Sequence, residues 1–143
     1  MNMKILILCT GNSCRSQMAH GWVSELTDGV EVFSAGTKPA EKVNPFAVKA
    51  MQKFNIDISS NITNHAEEYV EVSFDLVLTV CDKAKETCPV IFNTLELIHE
   101  SFPDPVDYEG TDQEKLDHYI EVCIEIKDWV HEILIQKGLV KDY

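Results

Sequence analysis

The stretch that decides the fold is Lys4-Ile5-Leu6-Ile7-Leu8-Cys9-Thr10-Gly11-Asn12-Ser13-Cys14-Arg15-Ser16. Its first half is a short, unbroken apolar run, the pattern of a parallel strand covered on both faces. Thr10-Gly11-Asn12-Ser13 is turn chemistry, and Ser16 to Leu26 then reads as a helix that stops near Asp28-Gly29. A strand that passes through such a turn into a helix opens an α/β unit.

The alternation continues along the chain. Val30 to Phe33 reads as a second strand, closed by Ser34-Ala35-Gly36, and Pro45 opens a helix that runs to Phe54. Asp75 to Val80 is another buried strand, and Leu95 to Ile98 a fourth. The last helix is expected to start after Thr111, with Asp112 and Glu114 in its first turn, and to stop at Gly138. Along it Leu116, Tyr119, Ile120, Cys123, Ile126, Val130, Ile133 and Leu134 form one apolar stripe at helical spacing. No repeat or linker interrupts the pattern. It predicts a single α/β domain over residues 1–143, a four-stranded parallel sheet with helices on both faces.

The chain has 143 residues, 45% hydrophobic and 25% charged, a globular balance that excludes disordered, collagen-like and coiled-coil classes. The apolar run Ile5 to Cys9 is too short for a membrane span or a signal-peptide core, so a soluble cytoplasmic protein is expected. A net charge of −12 makes nucleic acid and anionic membranes poor partners. Any anionic substrate therefore needs a local positive field, and the chain's one arginine, Arg15, falls inside the first loop.

Cysteines stand at 9, 14, 81, 88 and 123. An odd number in a chain able to build its own core argues against a disulfide framework. No Cys-x-x-Cys pair and no finger-spaced histidines occur, so zinc and other metals are not expected. Nucleophilic or redox chemistry is left as the leading class.

Between a buried strand and a helix, backbone N–H groups converge on an anion and the helix dipole favours negative charge. There Cys9 would face those groups and Arg15, which should lower its pKa and keep a thiolate near neutral pH. Ser16 can donate to the sulfur. Arg15 offers a planar fork that suits a tetrahedral oxyanion. Gly11 allows close approach of the backbone, and Asn12 tolerates a left-handed conformation. Thr10, Gly11, Asn12, Ser13, Cys14, Arg15 and Ser16 are thus the expected oxyanion cradle. A departing oxygen needs a proton, and Asp104 in Phe102-Pro103-Asp104-Pro105 would supply it from a stiff loop after the fourth strand, with Asp107 as an alternative.

Cys81 and Cys88 flank a helix-compatible segment, Asp82 to Thr87, and Pro89 follows. Seven helical residues rise about 10 Å, whereas a disulfide needs Cα atoms within roughly 7 Å. A Cys81–Cys88 bond would require that segment to unwind, as suits a thiol pair whose oxidation changes local structure. Two unrelated buried cysteines are the plainer alternative.

Cys9 to Trp22, Ser34-Ala35-Gly36, Asn44-Pro45, Asp57-Ile58-Ser59, Asp75–Val80 with Cys81, Cys88-Pro89 and Asp104-Pro105 together resemble the thioredoxin-coupled arsenate reductases, which share the fold of the low-molecular-weight protein tyrosine phosphatases. The resemblance covers essentially the whole chain. It implies that Cys9 attacks arsenate, held by Arg15 and the loop, while Asp104 protonates the departing hydroxyl. Cys81 would then attack Cys9 and expel arsenite, and Cys88 would resolve the mixed pair into a Cys81–Cys88 disulfide open to thioredoxin. Phosphate or sulfate would mimic arsenate, no cofactor would be bound, electrons would come from thioredoxin, and the protein would be a monomer. Relatives with a monovalent-cation site place a glutamate where this chain has His20 and an acidic residue near Asn64, which speaks against bound potassium here.

Two rival readings share the loop: a phosphatase of the same fold, and a non-catalytic oxyanion-binding or redox-sensing module. Of the remaining residues, Cys14 is expected to be a structural thiol or an off-pathway partner of Cys9, and Cys123, Trp22 and Trp129 to be core. Surface or capping roles are expected for His20, His65, His99, His118 and His131, and the acidic run Glu67 to Glu71 reads as a solvated helix face.

Overall fold

The computed structural model describes residues 3–80 and 93–141. Strand β1 (Met3–Cys9) leads into helix α1 (Arg15–Leu26), followed by β2 (Val30–Gly36), α2 (Pro45–Gln52) and a 3-10 turn (Ala66–Tyr69). Then come β3 (Ser73–Phe74), β4 (Leu76–Thr79), β5 (Asn93–Thr94), β6 (Leu97–His99), a second 3-10 turn (Pro105–Asp107) and α3 (Asp112–Gln136). The main sheet has the order β2-β1-β4-β6, and all its pairings are parallel. β3 and β5 form a separate parallel pair.

The two faces of the sheet can be told apart by side-chain partners. Ser34 of β2 bonds His20 on α1, so its neighbour Phe33 points to the opposite face. Phe33 there stacks edge-on against Tyr69 and Phe74, at 5.4 and 5.6 Å between ring centroids. Ile5, Leu6, Ile7 and Leu8 are all fully buried, which requires both faces to be covered. On α3, Tyr119, Cys123, Ile126, Val130, Ile133 and Leu134 of the expected stripe are buried. α3 is capped at both ends as anticipated: Thr111 and Glu114 form a capping box, and Gly138 takes a left-handed φ of 69°.

Several boundaries move for tertiary reasons. β2 does not close at Ser34-Ala35-Gly36 but continues through it, because those residues pair with Ile7, Leu8 and Cys9. α2 stops at Gln52 rather than Phe54, its end tightened by Lys53 and Phe54 donating to the carbonyls three residues back. The fourth sheet strand is Leu97–His99, not Leu95–Ile98. Leu95 is 86% exposed, at the outside of a turn closed by Thr94 and Glu96, where the chain crosses from the small ladder to the main sheet. No helix among the described residues is long and apolar enough to cross a membrane.

Candidate active site

Cys9 ends β1 at the C-terminal edge of the sheet, the edge at which open α/β sheets bind ligands. Asn12 follows with φ +51°, the left-handed turn that brings the chain back over the strand end. Its N–H lies 3.2 Å from Cys9 Sγ, and Ser16 Oγ lies 3.0 Å from the same sulfur. Ser16 also accepts from Asn12 Nδ2 at 2.8 Å, so both residues are fixed beside the thiol. Asn12, Ser16 and Gln17 are fully buried.

Outward bonds govern how the loop presents its amides. The carbonyl of Thr10 accepts from Lys38 N (2.9 Å), that of Gly11 from Ala40 N (2.8 Å) and that of Ser13 from Asn44 N (2.8 Å). The carbonyl of Asn12 accepts from Gln17 Nε2 (3.0 Å). In a planar trans peptide the following N–H points the opposite way, and no peptide among the described residues is cis. The amides of Gly11, Asn12, Ser13 and Cys14 are thereby turned to the other side of the loop, and the Asn12 contact with Cys9 confirms the direction. On that side lies a pocket of about 250 Å³ lined by Cys9, Thr10, Gly11, Ser13, Cys14, Arg15, Asp104 and Val106. A larger cleft of about 390 Å³ beside α2, lined by Lys42, Lys49, Ser59 and Asn61 among others, contains no cysteine.

Arg15 opens α1, whose first turn has no acidic residue to compete for an anion. Its Nη2 lies 3.3 Å from Asp104 Oδ2 and its Nη1 donates to Phe102 O at 3.1 Å. The arginine side chain is 13% exposed and the aspartate 38%, so this pair sits at the pocket rim. The other Asp104 oxygen accepts from Val106 N and caps the turn Pro105–Asp107. Phe102 stacks edge-on against Trp129 at 5.5 Å, which anchors this loop to α3. Asp104, rather than Asp107, is the carboxylate paired with the guanidinium.

Cys9, Thr10, Gly11, Asn12, Ser13, Cys14, Arg15, Ser16 and Asp104 therefore converge, while Cys81 and Cys88 lie outside the described residues. Val80, the residue before Cys81, donates to the carbonyl of Leu8, the residue before Cys9 (3.0 Å). Gly11 is not demanded by protein packing, since an added Cβ would meet only Ser13 Oγ at 3.5 Å. Gly36 is: a Cβ there would sit 2.4 Å from the carbonyl oxygen of Thr10. Its neighbours in sequence gave no hint of this, because the contact is made across the sheet.

Cys14 is buried, and that burial pushes its thiol well above the ordinary range, ahead of a smaller effect from Asp104. Cys123 is core, as expected, with its thiol pushed up to about 11 mainly by burial and its sulfur 3.3 Å from Trp22 Nε1. Trp22 is buried, whereas Trp129 is only half-buried. His20 departs from the surface or capping role expected of it. It is half-buried against Ser34 Oγ (2.9 Å), and burial lowers its pKa to about 4. His65 does cap a turn, accepting from Glu67 N. Asn64 bonds Asn12 Oδ1 through its N–H and the Ser34 carbonyl through Nδ2. His20, Ser34 and Asn64 thus form a hydrogen-bonded group beside Asn12 that contains no carboxylate. Among the described residues no cluster of three or more His, Cys, Asp or Glu could hold a metal ion.

A parallel sheet in this order, with a Cys9–Arg15 loop at its edge, defines the class. Residues 4–142 match the Low molecular weight phosphotyrosine protein phosphatase family, and the chain belongs to it. Within that family it is similar to proteins called arsenate reductase: 47% identical over 117 residues to one from Halalkalibacterium halodurans, covering 80% of this chain and 84% of the relative. A second, from Bacillus subtilis, is 41% identical over 132 residues, covering 92% and 94%. A solved structure described as an arsenate reductase in the phosphate binding state superposes with a TM-score of 0.78 at 26% identity, covering 94% of this chain and 98% of that one.

Proposed function

We propose that this protein reduces arsenate to arsenite through a three-cysteine relay, with thioredoxin as the source of electrons. The observation that carries the reading is the setting of Cys9: its sulfur lies 3.2 Å from the Asn12 amide and 3.0 Å from Ser16 Oγ, under a loop whose amides are turned towards one pocket. The Asn12 amide donates to the sulfur. The Ser16 hydroxyl, which accepts from the thiol, can turn to donate once the sulfur is ionised, so both stabilise the thiolate. The same amides and Arg15 suit a tetrahedral oxyanion, the shape shared by arsenate and phosphate.

The Cys9 thiolate attacks arsenic, a S–As bond forms, and an As–O bond breaks. Asp104, at the rim beside Arg15, hands a proton to the departing hydroxide. The Cys81 thiolate then attacks the Cys9 sulfur. The S–As bond breaks with its electron pair left on arsenic, which leaves as arsenite, and a Cys9–Cys81 disulfide remains. The Cys88 thiolate displaces Cys9 from Cys81, and the dithiol of thioredoxin reduces the Cys81–Cys88 disulfide, so two electrons enter for each arsenate. No bound cofactor is needed. The bond from Val80 to Leu8 supports the relay, because the chain leaves β4 alongside the end of the strand that carries Cys9.

The family description favours a second reading, phosphate-ester hydrolysis in the same pocket. One experiment separates the two. With arsenate, thioredoxin, thioredoxin reductase and NADPH, the wild type is expected to consume NADPH in an arsenate-dependent way, and Cys81→Ser or Cys88→Ser to abolish it. Brisk aryl phosphate hydrolysis that survives both substitutions, with no arsenate-dependent NADPH loss in the wild type, would establish the phosphatase instead.

A further inference from the structure

We propose that Gln17 is a positioning residue that aims the Ser13 amide into the oxyanion pocket. This rests on the reading of the Cys9 loop as an oxyanion site. Of the four outward bonds that orient loop amides, three come from backbone N–H groups, at Lys38, Ala40 and Asn44. The fourth comes from a side chain, Gln17 Nε2, and it holds the carbonyl of Asn12. That peptide unit carries the Ser13 N–H, so releasing the carbonyl releases the direction of this donor.

The hold is built with no slack. Gln17 is fully buried on α1, and its Nε2 also donates to the carbonyl of Ile62 at 3.0 Å. Its Oε1 accepts from Asn61 Nδ2 at 3.1 Å. Both amide hydrogens and the amide oxygen are therefore engaged, which fixes the flip of the amide as well as its place. Asn12 is also in the sparsely populated left-handed region, where a non-glycine residue persists only when its surroundings over-determine it. The Asn12 N–H, by contrast, belongs to the preceding peptide, which Ala40 holds through Gly11. Gln17 should thus govern oxyanion affinity while leaving the donor to the Cys9 sulfur in place.

That separation gives the test. Gln17→Met keeps the length and burial and removes the donors. The readouts are the concentration of inorganic phosphate that protects Cys9 from iodoacetamide, followed on the Cys9 peptide by mass spectrometry, and the pH midpoint of Cys9 alkylation without phosphate. A phosphate affinity about tenfold weaker, with the alkylation midpoint unmoved, is expected, as for one hydrogen bond to a charged group lost. Equal affinity would overturn the proposal. So would a midpoint that shifts together with affinity, because general loosening of the loop does that. Should Gln17→Met fail to fold, Asn61→Ala leaves the donors of Gln17 intact but frees its oxygen; a two- to threefold weaker affinity at constant midpoint supports the role, and no change overturns it. Phosphate protection in a wild type that shows no arsenate-dependent NADPH oxidation would count against arsenate reduction alone.

Discussion

Replacing Ser16 by alanine tests the electrostatics of the nucleophile most directly. The Ser16 hydroxyl is fully buried, 3.0 Å from Cys9 Sγ, and it accepts from Asn12 Nδ2 at 2.8 Å. Its oxygen accepts from Asn12 Nδ2 and from the Cys9 thiol, and when Cys9 is ionised its hydrogen can turn to donate to the sulfur. A hydrogen bond to a charged group is worth about 1.5–3 kcal/mol, and one pKa unit corresponds to about 1.4 kcal/mol. Ser16→Ala is therefore expected to raise the Cys9 pKa by about one to two units. The Asn12 amide still donates to the sulfur, so the shift should stop short of complete loss of activation. The assay is the rate of Cys9 alkylation against pH, with urea unfolding run in parallel because Asn12 Nδ2 loses its acceptor. A midpoint within about 0.3 units of wild type, in a folded variant, would refute the argument that Ser16 stabilises the thiolate.

Three further outcomes can be checked. Gly36→Ala places a Cβ 2.4 Å from the backbone oxygen of Thr10, which cannot swing away, so unfolding in urea should show a loss of about 1–3 kcal/mol; an unchanged midpoint would mean the loop is softer than its packing indicates. His20, with its pKa lowered to about 4 by burial, is neutral in the folded protein but protonates near pH 6.5 when unfolded. Its contribution to stability is whole above pH 6.5 and is lost as the pH falls towards 4, so His20→Gln should narrow the difference in unfolding free energy between pH 7.5 and pH 5 by on the order of 2 kcal/mol; an equal difference in both proteins would show that His20 is not the group titrating. Asp104→Asn should lower single-turnover arsenite release by about 10²–10⁴-fold while inorganic phosphate still protects Cys9, and unchanged release would remove Asp104 from the proton transfer.

The class of fold was legible because hydrophobic periodicity reports burial directly. Ile5 to Leu8 could be apolar at every position only if both faces of β1 were covered, and the stripe on α3 could lie only on one side of a helix. The core of the site was legible too, since Cys9, Asn12, Arg15 and Ser16 are near in sequence and a strand–turn–helix leaves them few relative placements. What sequence spacing could not convey is any contact made between distant segments. The end of β2 at Gly36, the true start of β6 and the burial of His20 against Ser34 all depend on which strand lies beside which.

Gln17 shows the limit most clearly. By sequence it is a polar residue in the first turn of a helix, with nothing to separate it from a solvated one. Only the fold brings Asn61 and Ile62 against α1 and makes its amide the clamp on Asn12. The chain by itself determined that Cys9, Asn12, Arg15 and Ser16 meet at the strand end, because covalent connectivity keeps them within a single loop. The tertiary structure alone decided how those groups are aimed, because a peptide's direction is set by whatever bonds its carbonyl from outside.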